Sequence, residues 1–206
     1  MAVVTDAPTV SETPKFILAS ASPRRLDLLE QIDLTPDRIV PADINECALR
    51  DELPRQLAAR LAEEKACHVA ANWPGCFVLA ADTVVACGRR ILPKAESPDE
   101  AAAFLRLLSG RKHRVLGGVA VIDPASRMVS RLVTTVVSFK TLEAAEIDGY
   151  IASGEWQGKA GAYAIQGRAA RFVRRINGSY SNVVGLPLFE TAALLKGSGY
   201  APASGV

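Results

Sequence analysis

Four stretches of this chain put chemically capable side chains where local structure disfavours them. Ser20-Ala21-Ser22-Pro23-Arg24-Arg25 reads as a helix start, with Ser22 as N-cap and Pro23 at the first helical position. Both arginines then fall in the first turn, where the helix dipole already concentrates positive charge. The chain follows the ordinary rule elsewhere: Ser97-Pro98-Asp99-Glu100 repeats the cap and the proline but adds two carboxylates. Free N–H groups, two hydroxyls and two guanidiniums together suit a multiply charged anion such as a phosphate chain. The competing reading turns both arginines to solvent or pairs them with Asp27 or Glu30.

Asp82 interrupts the apolar run from Phe77 to Ala86. A carboxylate there costs several kcal/mol of desolvation unless a cation, a metal or strong donors meet it. It therefore reads as a metal ligand or a general base, against the alternative of a solvated strand end. Lys65 lies on the Leu/Ala stripe of a helix and Lys94 follows Pro93 in a connecting segment. Either lysine alone could snorkel or sit on the surface. Beside Asp82, two ammonium groups would balance charge that divalent ions leave uncompensated on a triphosphate. The fourth stretch, Gly158 to Gly167, is rich in small residues that permit close approach to a flat ligand. Its Gln166 amide offers the donor and acceptor that an imide base edge requires, although a structural glutamine in a tightly packed segment fits the same pattern.

The elements that must position these groups follow from periodicity and turn residues. Strands are predicted at 16–19, 77–87, 91–92, 115–122, 128–139, 163–166 and 172–184, with an extended segment at 38–42. Helices are predicted at 23–31, 54–71, 98–108, 144–152 and 187–195. Asn177-Gly178 reads as a turn. Strands in runs separated by short turns after residue 113 argue for a mixed α/β sheet rather than a uniformly parallel one.

Composition narrows the function. With 206 residues, 49% of them hydrophobic and 22% charged, the chain can bury a full core. A net charge of +2, from 24 basic and 22 acidic residues without a polybasic block, argues against nucleic acid or an anionic membrane as partner, so any anion site is local. Cys47, Cys67, Cys76 and Cys87 lack C-x-x-C spacing, and no secretory signal or apolar run of spanning length is evident. Reduced thiols and a cytoplasmic location are expected. Two histidines and no clustered ligands disfavour structural zinc. Residues 1–14 and 197–206 read as loose extensions of a folded body at 15–196.

The segments carrying these features resemble the Maf family of nucleoside triphosphate pyrophosphatases. The match runs through Leu18 to Arg25, the Glu46 turn, Leu61 to Ala66, Ala81 to Val85, Leu108 to Gly110, Lys159 to Tyr163, Ile165 to Gly167 and Asn182 to Leu188. The resemblance implies an elongated mixed α/β sheet in two lobes with a central cleft, like the inosine triphosphate pyrophosphatases, usually as a homodimer. It implies hydrolysis of a nucleoside triphosphate to monophosphate and pyrophosphate with Mg²⁺ or Mn²⁺. By position, Asp82 resembles the catalytic acid and, with Glu46, a metal ligand; Ser20, Ser22, Arg25, Lys65 and Lys94 resemble the phosphate contacts. Arg24, Thr83 and Gln166 match positions that separate the family's subgroups and look like the branch acting on dTTP and UTP. One turn departs from the family pattern: Ile44-Asn45-Glu46 stands where a pair of acids is common. The rival expectation is a nucleotide-sensing protein that acts through protein contacts.

Overall fold

The computed structural model describes residues 15–202; 1–14 and 203–206, expected to be loose, lie outside the described residues. The elements run β1 (Phe16–Ala19), α1 (Pro23–Glu30), β2 (Arg38–Ile39), α2 (Pro54–Ala70), β3 (Phe77–Cys87), β4 (Arg90–Leu92), α3 (Pro98–Leu108), β5 (Lys112–Ile122), β6 (Met128–Phe139), α4 (Ala144–Ala152), β7 (Val173–Asn177), α5 (Tyr180–Val184) and α6 (Leu188–Gly197). A 3-10 turn, Arg168–Phe172, leads into β7. The seven strands form one mixed sheet in the order β2-β1-β3-β5-β6-β7, with β4 paired to β3. β1 runs parallel to β2 and β3, and the remaining pairs are antiparallel.

Register makes the cleft. β1 pairs only with the first four residues of β3, ending at Ala19 opposite Ala80. On that same side β4 takes up pairing only from Val85. Residues 81–84 of β3 are thus left without a strand neighbour on one edge, while β5 covers the other edge from Val78 to Ala86. Successive side chains of a strand point to opposite faces, so an opening in the sheet exposes both faces of β3 at one place.

The core explains why the opening separates two lobes. On one face α2 lays Ala62, Ala66 and Val69 over Val78 and Ala80, and Leu57, Ala58 and Leu61 over Val84 and Ala86. The contact is close because β5 presents Gly118, where a Cβ would strike the Ala58 carbonyl. On the opposite face there are two separate clusters. Leu28 and Leu29 of α1 and Leu194 and Leu195 of α6 cover Phe77, Leu79 and Ala81. Helices α3 and α4 cover Val85, Val115 and Val137 with Tyr163 and Phe172. Thr83 lies between them.

Three expectations need correction. Residues 163–166, predicted as a strand, form turns and coil; Gly161 and Ala162 both take positive φ, at 69° and 57°, which breaks extension just before it. Residues 172–184, predicted as one long strand, divide into β7 and the helix α5. Gly178, at φ 126°, turns the chain between them, and the Ser179 hydroxyl accepts from the Asn182 N–H to start the helix. The segment expected to be loose from 197 is anchored as far as Tyr200, whose ring lies 4.9 Å from Phe16 and 5.3 Å from Phe77.

His113 supports the lobe that carries the 160–166 segment. Its Nε2 lies 2.8 Å from the Tyr163 hydroxyl, its ring meets Phe139 edge-on, and its Nδ1 has no hydrogen-bond partner. Burial pulls its pKa from 6.5 to about 4. The folded state therefore holds His113 neutral where the unfolded chain already binds a proton. This stability is complete above pH 6.5 and is lost as the pH falls toward 4, by about 3 kcal/mol. Thermal unfolding at pH 7 and pH 4.5 should show a fall in Tm that is smaller by roughly 5–10 °C in His113→Gln than in the wild type. Equal falls in both would remove His113 as the cause.

Candidate active site

The opening beside residues 81–84 is the mouth of a cleft of about 790 Å³. This is the size of pockets that hold small organic ligands. All ten residues expected to contribute line it: Ser20, Ser22, Arg24, Arg25, Glu46, Lys65, Asp82, Thr83, Lys94 and Gln166. They arrive from β1 and its following loop, α1, the long β2–α2 loop, α2, β3, the segment after β4 and the 158–166 turn segment.

One wall is acidic. Asp82 faces α2, and the Lys65 ammonium reaches it from the helix stripe, with Nζ 2.7 Å from Asp82 Oδ1. Both side chains are about nine-tenths buried. The same ammonium lies 2.6 Å from Glu46 Oε1, and Lys94 Nζ lies 3.6 Å from Glu46 Oε2. Burial pushes the Glu46 carboxyl up, but the Lys65 hydrogen bond and the Lys65 and Lys94 charges outweigh it, so the group stays below the usual carboxylate range. Where a second acid was expected, Asn45 shapes the turn instead, its Oδ1 accepting from the Cys47 N–H at 3.0 Å. Arg60 of α2 fixes the loop further: it forks onto Glu52 at 2.7 and 2.8 Å and donates to the Cys47 carbonyl at 3.1 Å.

The other wall is cationic, and its geometry answers why a helix starts with two arginines. Neither guanidinium pairs with Asp27 or Glu30 among the described residues. Arg24 Nε donates to the Val184 carbonyl at 3.3 Å and Arg25 Nε to the Gly185 carbonyl at 2.9 Å, at the C-terminal end of α5. These are carbonyls that a helix end leaves without intrahelical donors. Arg25 also donates to Ser20 Oγ at 2.9 Å and to Thr83 Oγ1 at 3.3 Å. Burial lowers both arginine pKa values; the opposing charge of Asp82 partly offsets this at Arg25, as Asp27 does at Arg24. Ser22 stands at the N-cap position, but its hydroxyl makes no capping bond; instead its N–H donates to Ser20 Oγ at 3.2 Å. Ser20 thus accepts twice, and its own O–H donates to no acceptor among the described residues.

Gln166 is exposed on the lining, and its amide is engaged by no hydrogen bond among the described residues. Lys159 also lines the cleft, although its sequence stretch suggested only small residues and a glutamine. Burial, then the neighbouring Arg24 charge, lowers its pKa. The signal for it was its place between Gly158 and Gly161, both at positive φ, a backbone path that turns a loop inward. The partners of the two arginines, Val184 and Gly185, were not foreseen as part of the site. Counting the lining, five cations face two carboxylates. A cleft of this charge favours a polyanion.

The residues that build both walls belong to one family pattern: the family model described as Maf-like protein matches residues 15–198. The chain belongs to the Maf family. It is 62% identical over 189 residues to a dTTP/UTP pyrophosphatase of Caulobacter vibrioides, covering 92% of this chain and 98% of that one. To the dTTP/UTP pyrophosphatase of Paramagnetospirillum magneticum it is 63% identical over 187 residues, covering 91% and 98%. Among solved structures, a nucleoside-triphosphatase / dITP/XTP pyrophosphatase of Mycobacterium abscessus aligns with 63% of this chain and 75% of that chain, at 18% identity and a TM-score of 0.42. No helix among the described residues of this Maf chain is long and apolar enough to cross a membrane.

Proposed function

We propose that this Maf protein hydrolyses dTTP and UTP to the monophosphate and pyrophosphate. The observation that carries the reading is the facing of two walls across one cleft. The Asp82–Lys65–Glu46 cluster stands on one side and the Ser20–Arg25 pair on the other, in a chain whose relatives at about 60% identity bear that activity in their names. Arg25, Lys94, Ser22 and the Ser20 hydroxyl bind the phosphates, and Lys65 joins them once a ligand is present. Water attacks the α-phosphorus in line with the departing pyrophosphate. Asp82 takes the proton of that water through Oδ2, which accepts no hydrogen bond among the described residues, while Oδ1 is held by Lys65. Charge building on the pyrophosphate is spread over Arg25, Lys65 and Lys94.

The donor set fits a divalent cation such as Mg²⁺ or Mn²⁺. Oxygens of Asp82 and Glu46 converge on one point, now held by an ammonium, and hard cations are commonly bound by one or two carboxylates plus substrate phosphates. When bound, such a cation would neutralise phosphate charge and make the attacking water more acidic. Asp82 and Glu46 would hold it. The protein acts in the cytoplasm as a homodimer, with the catalytic unit within residues 15–196.

Base choice rests on Gln166, Thr83 and Arg24. An amide presents a donor and an acceptor together, which matches the imide edge of thymine and uracil and mismatches a purine edge. Pyrophosphate release measured over a panel of triphosphates, with and without Mg²⁺, should favour dTTP and UTP over dATP and dGTP by roughly 100-fold in kcat/KM. A flat profile would overturn the base assignment, and no release from any nucleotide would overturn the reaction.

A further inference from the structure

Resting on the reading just given, we infer that the Lys65 ammonium holds the divalent cation's place in the free enzyme, so that the metal reaches Asp82 and Glu46 only as a metal–nucleotide complex. Three observations carry this. The first is coincidence of position: one Nζ stands 2.7 Å from Asp82 Oδ1 and 2.6 Å from Glu46 Oε1, so the point on which both carboxylates converge is already filled by a positive charge. A divalent ion entering between these oxygens must first expel the ammonium.

The second is what an expelled ammonium would meet. The lining of the cleft holds no acid besides Asp82 and Glu46, and its remaining charged groups, Arg24, Arg25, Lys94 and Lys159, are all cations. Lys65 is buried, at 7% exposure, on the inner stripe of α2, so it cannot simply swing into water. A buried ammonium without a counter-charge is strongly disfavoured. A bare metal ion would therefore satisfy two carboxylates at the cost of stranding a lysine.

The third is the remedy a nucleotide brings. Its phosphate oxygens enter the same cleft and supply the anions that Lys65 loses, while the metal they carry supplies the cation that the carboxylates lose. Lys65 passes from carboxylate to phosphate in the same event that passes the carboxylates from ammonium to metal. Neither exchange is favourable alone, and together they leave every charge paired. The substrate of this site is accordingly the metal–triphosphate complex, and free metal and enzyme have little affinity for each other.

The full chain can be tested with Mn²⁺ as probe, because electron paramagnetic resonance reads unbound Mn²⁺ directly. Wild-type protein without nucleotide should leave the free signal undiminished at protein and metal concentrations near 100 µM, on the order of the affinities at which weak sensor-type metal sites still fill. Adding a dTTP analogue with a methylene bridge between its α- and β-phosphorus should withdraw one Mn²⁺ per chain. Lys65→Met, checked for fold by circular dichroism, should bind one Mn²⁺ without nucleotide at least tenfold more tightly than the wild type. Glu46→Gln in that background should abolish the gain. Stoichiometric binding of Mn²⁺ by the wild type alone would overturn the exchange, and so would a folded Lys65→Met that binds no better. The wild-type titration needs no variant and decides the matter even where Lys65→Met does not fold. Pyrophosphate release from dTTP by the wild type, run alongside, separates the two ideas: exchange behaviour without turnover defeats the proposed reaction and leaves the exchange standing.

Discussion

Asp82→Asn is expected to lower kcat on dTTP by about 10³-fold, the upper part of the range for loss of a positioned proton acceptor. The substitution keeps the size and shape of the side chain but removes its charge and its basicity. Asn Oδ1 can still accept from Lys65, and Lys65 keeps Glu46 at 2.6 Å, so the ammonium is not stranded. β3 retains its pairing with β5 through Asp82 opposite Gly118, which uses backbone groups only. The variant should therefore unfold within a few degrees of the wild type. A fall in kcat with KM for dTTP nearly unchanged would mark a group that acts in the transition state rather than in uniform binding. A kcat within tenfold of the wild type would remove Asp82 from the reaction. Asp82→Glu gives a useful second reading: it keeps the charge but moves the oxygens by one methylene, so activity nearer to that of Asn than to the wild type would mean that position matters as much as charge.

The walls of the cleft were legible in the sequence to different degrees, and the difference has physical causes. The acidic wall could be read because each of its members violates a local rule by itself. Asp82 breaks an apolar run and Lys65 breaks a Leu/Ala stripe, and violations of this kind concentrate at functional sites. What placed them together was not legible. The opening between the end of β1 and the start of β4 depends on register, and strand lengths alone do not specify which residues stand opposite one another. For that reason an apolar run with one acid could equally be read as ending at the acid.

The α5 segment shows the opposite situation, in which local preference pointed the wrong way. Tyr180, Val183 and Val184 favour strand, and the predicted strand ran through them. Two tertiary facts override that preference. Gly178 takes a φ of 126°, which ends β7, and the buried Asn182 donates to the Val115 carbonyl at 3.2 Å and to Thr135 Oγ1 at 3.0 Å, seated against Gly117. Side-chain bonds to strands sixty residues away have no signature in a local window. Because α5 was not foreseen, neither were the carbonyls that hold Arg24 and Arg25, and the helix with two arginines at its mouth remained a paradox until those acceptors were seen.

That arrangement makes Arg25 the position with the second large expected effect. Its guanidinium uses Nε on the Gly185 carbonyl, Nη1 on Ser20 Oγ and Nη2 on Thr83 Oγ1, three acceptors in three directions. A planar fork can satisfy such a set and a lysine ammonium at the end of a flexible stem cannot. Arg25→Lys preserves the charge, so any loss it suffers reports geometry; Arg25→Met removes both. If Arg25 holds Ser20 in position and meets the departing pyrophosphate, Arg25→Lys should lose roughly 10²-fold in kcat/KM and Arg25→Met roughly 10³-fold, the scale of losing a preorganised donor at a centre of developing charge. Stability should fall as well, because charge-assisted hydrogen bonds contribute about 1.5–3 kcal/mol each when their loss leaves a partner unsatisfied. A purely architectural role would produce that loss of stability without changing the enzyme's interaction with its product. Inhibition by pyrophosphate distinguishes the two: its inhibition constant should rise at least tenfold in Arg25→Lys measured well below the variant's own Tm. An unchanged inhibition constant beside a lowered Tm would reduce Arg25 to a clasp between β1, β3 and the end of α5, and would leave Lys65 and Lys94 to carry the leaving group alone.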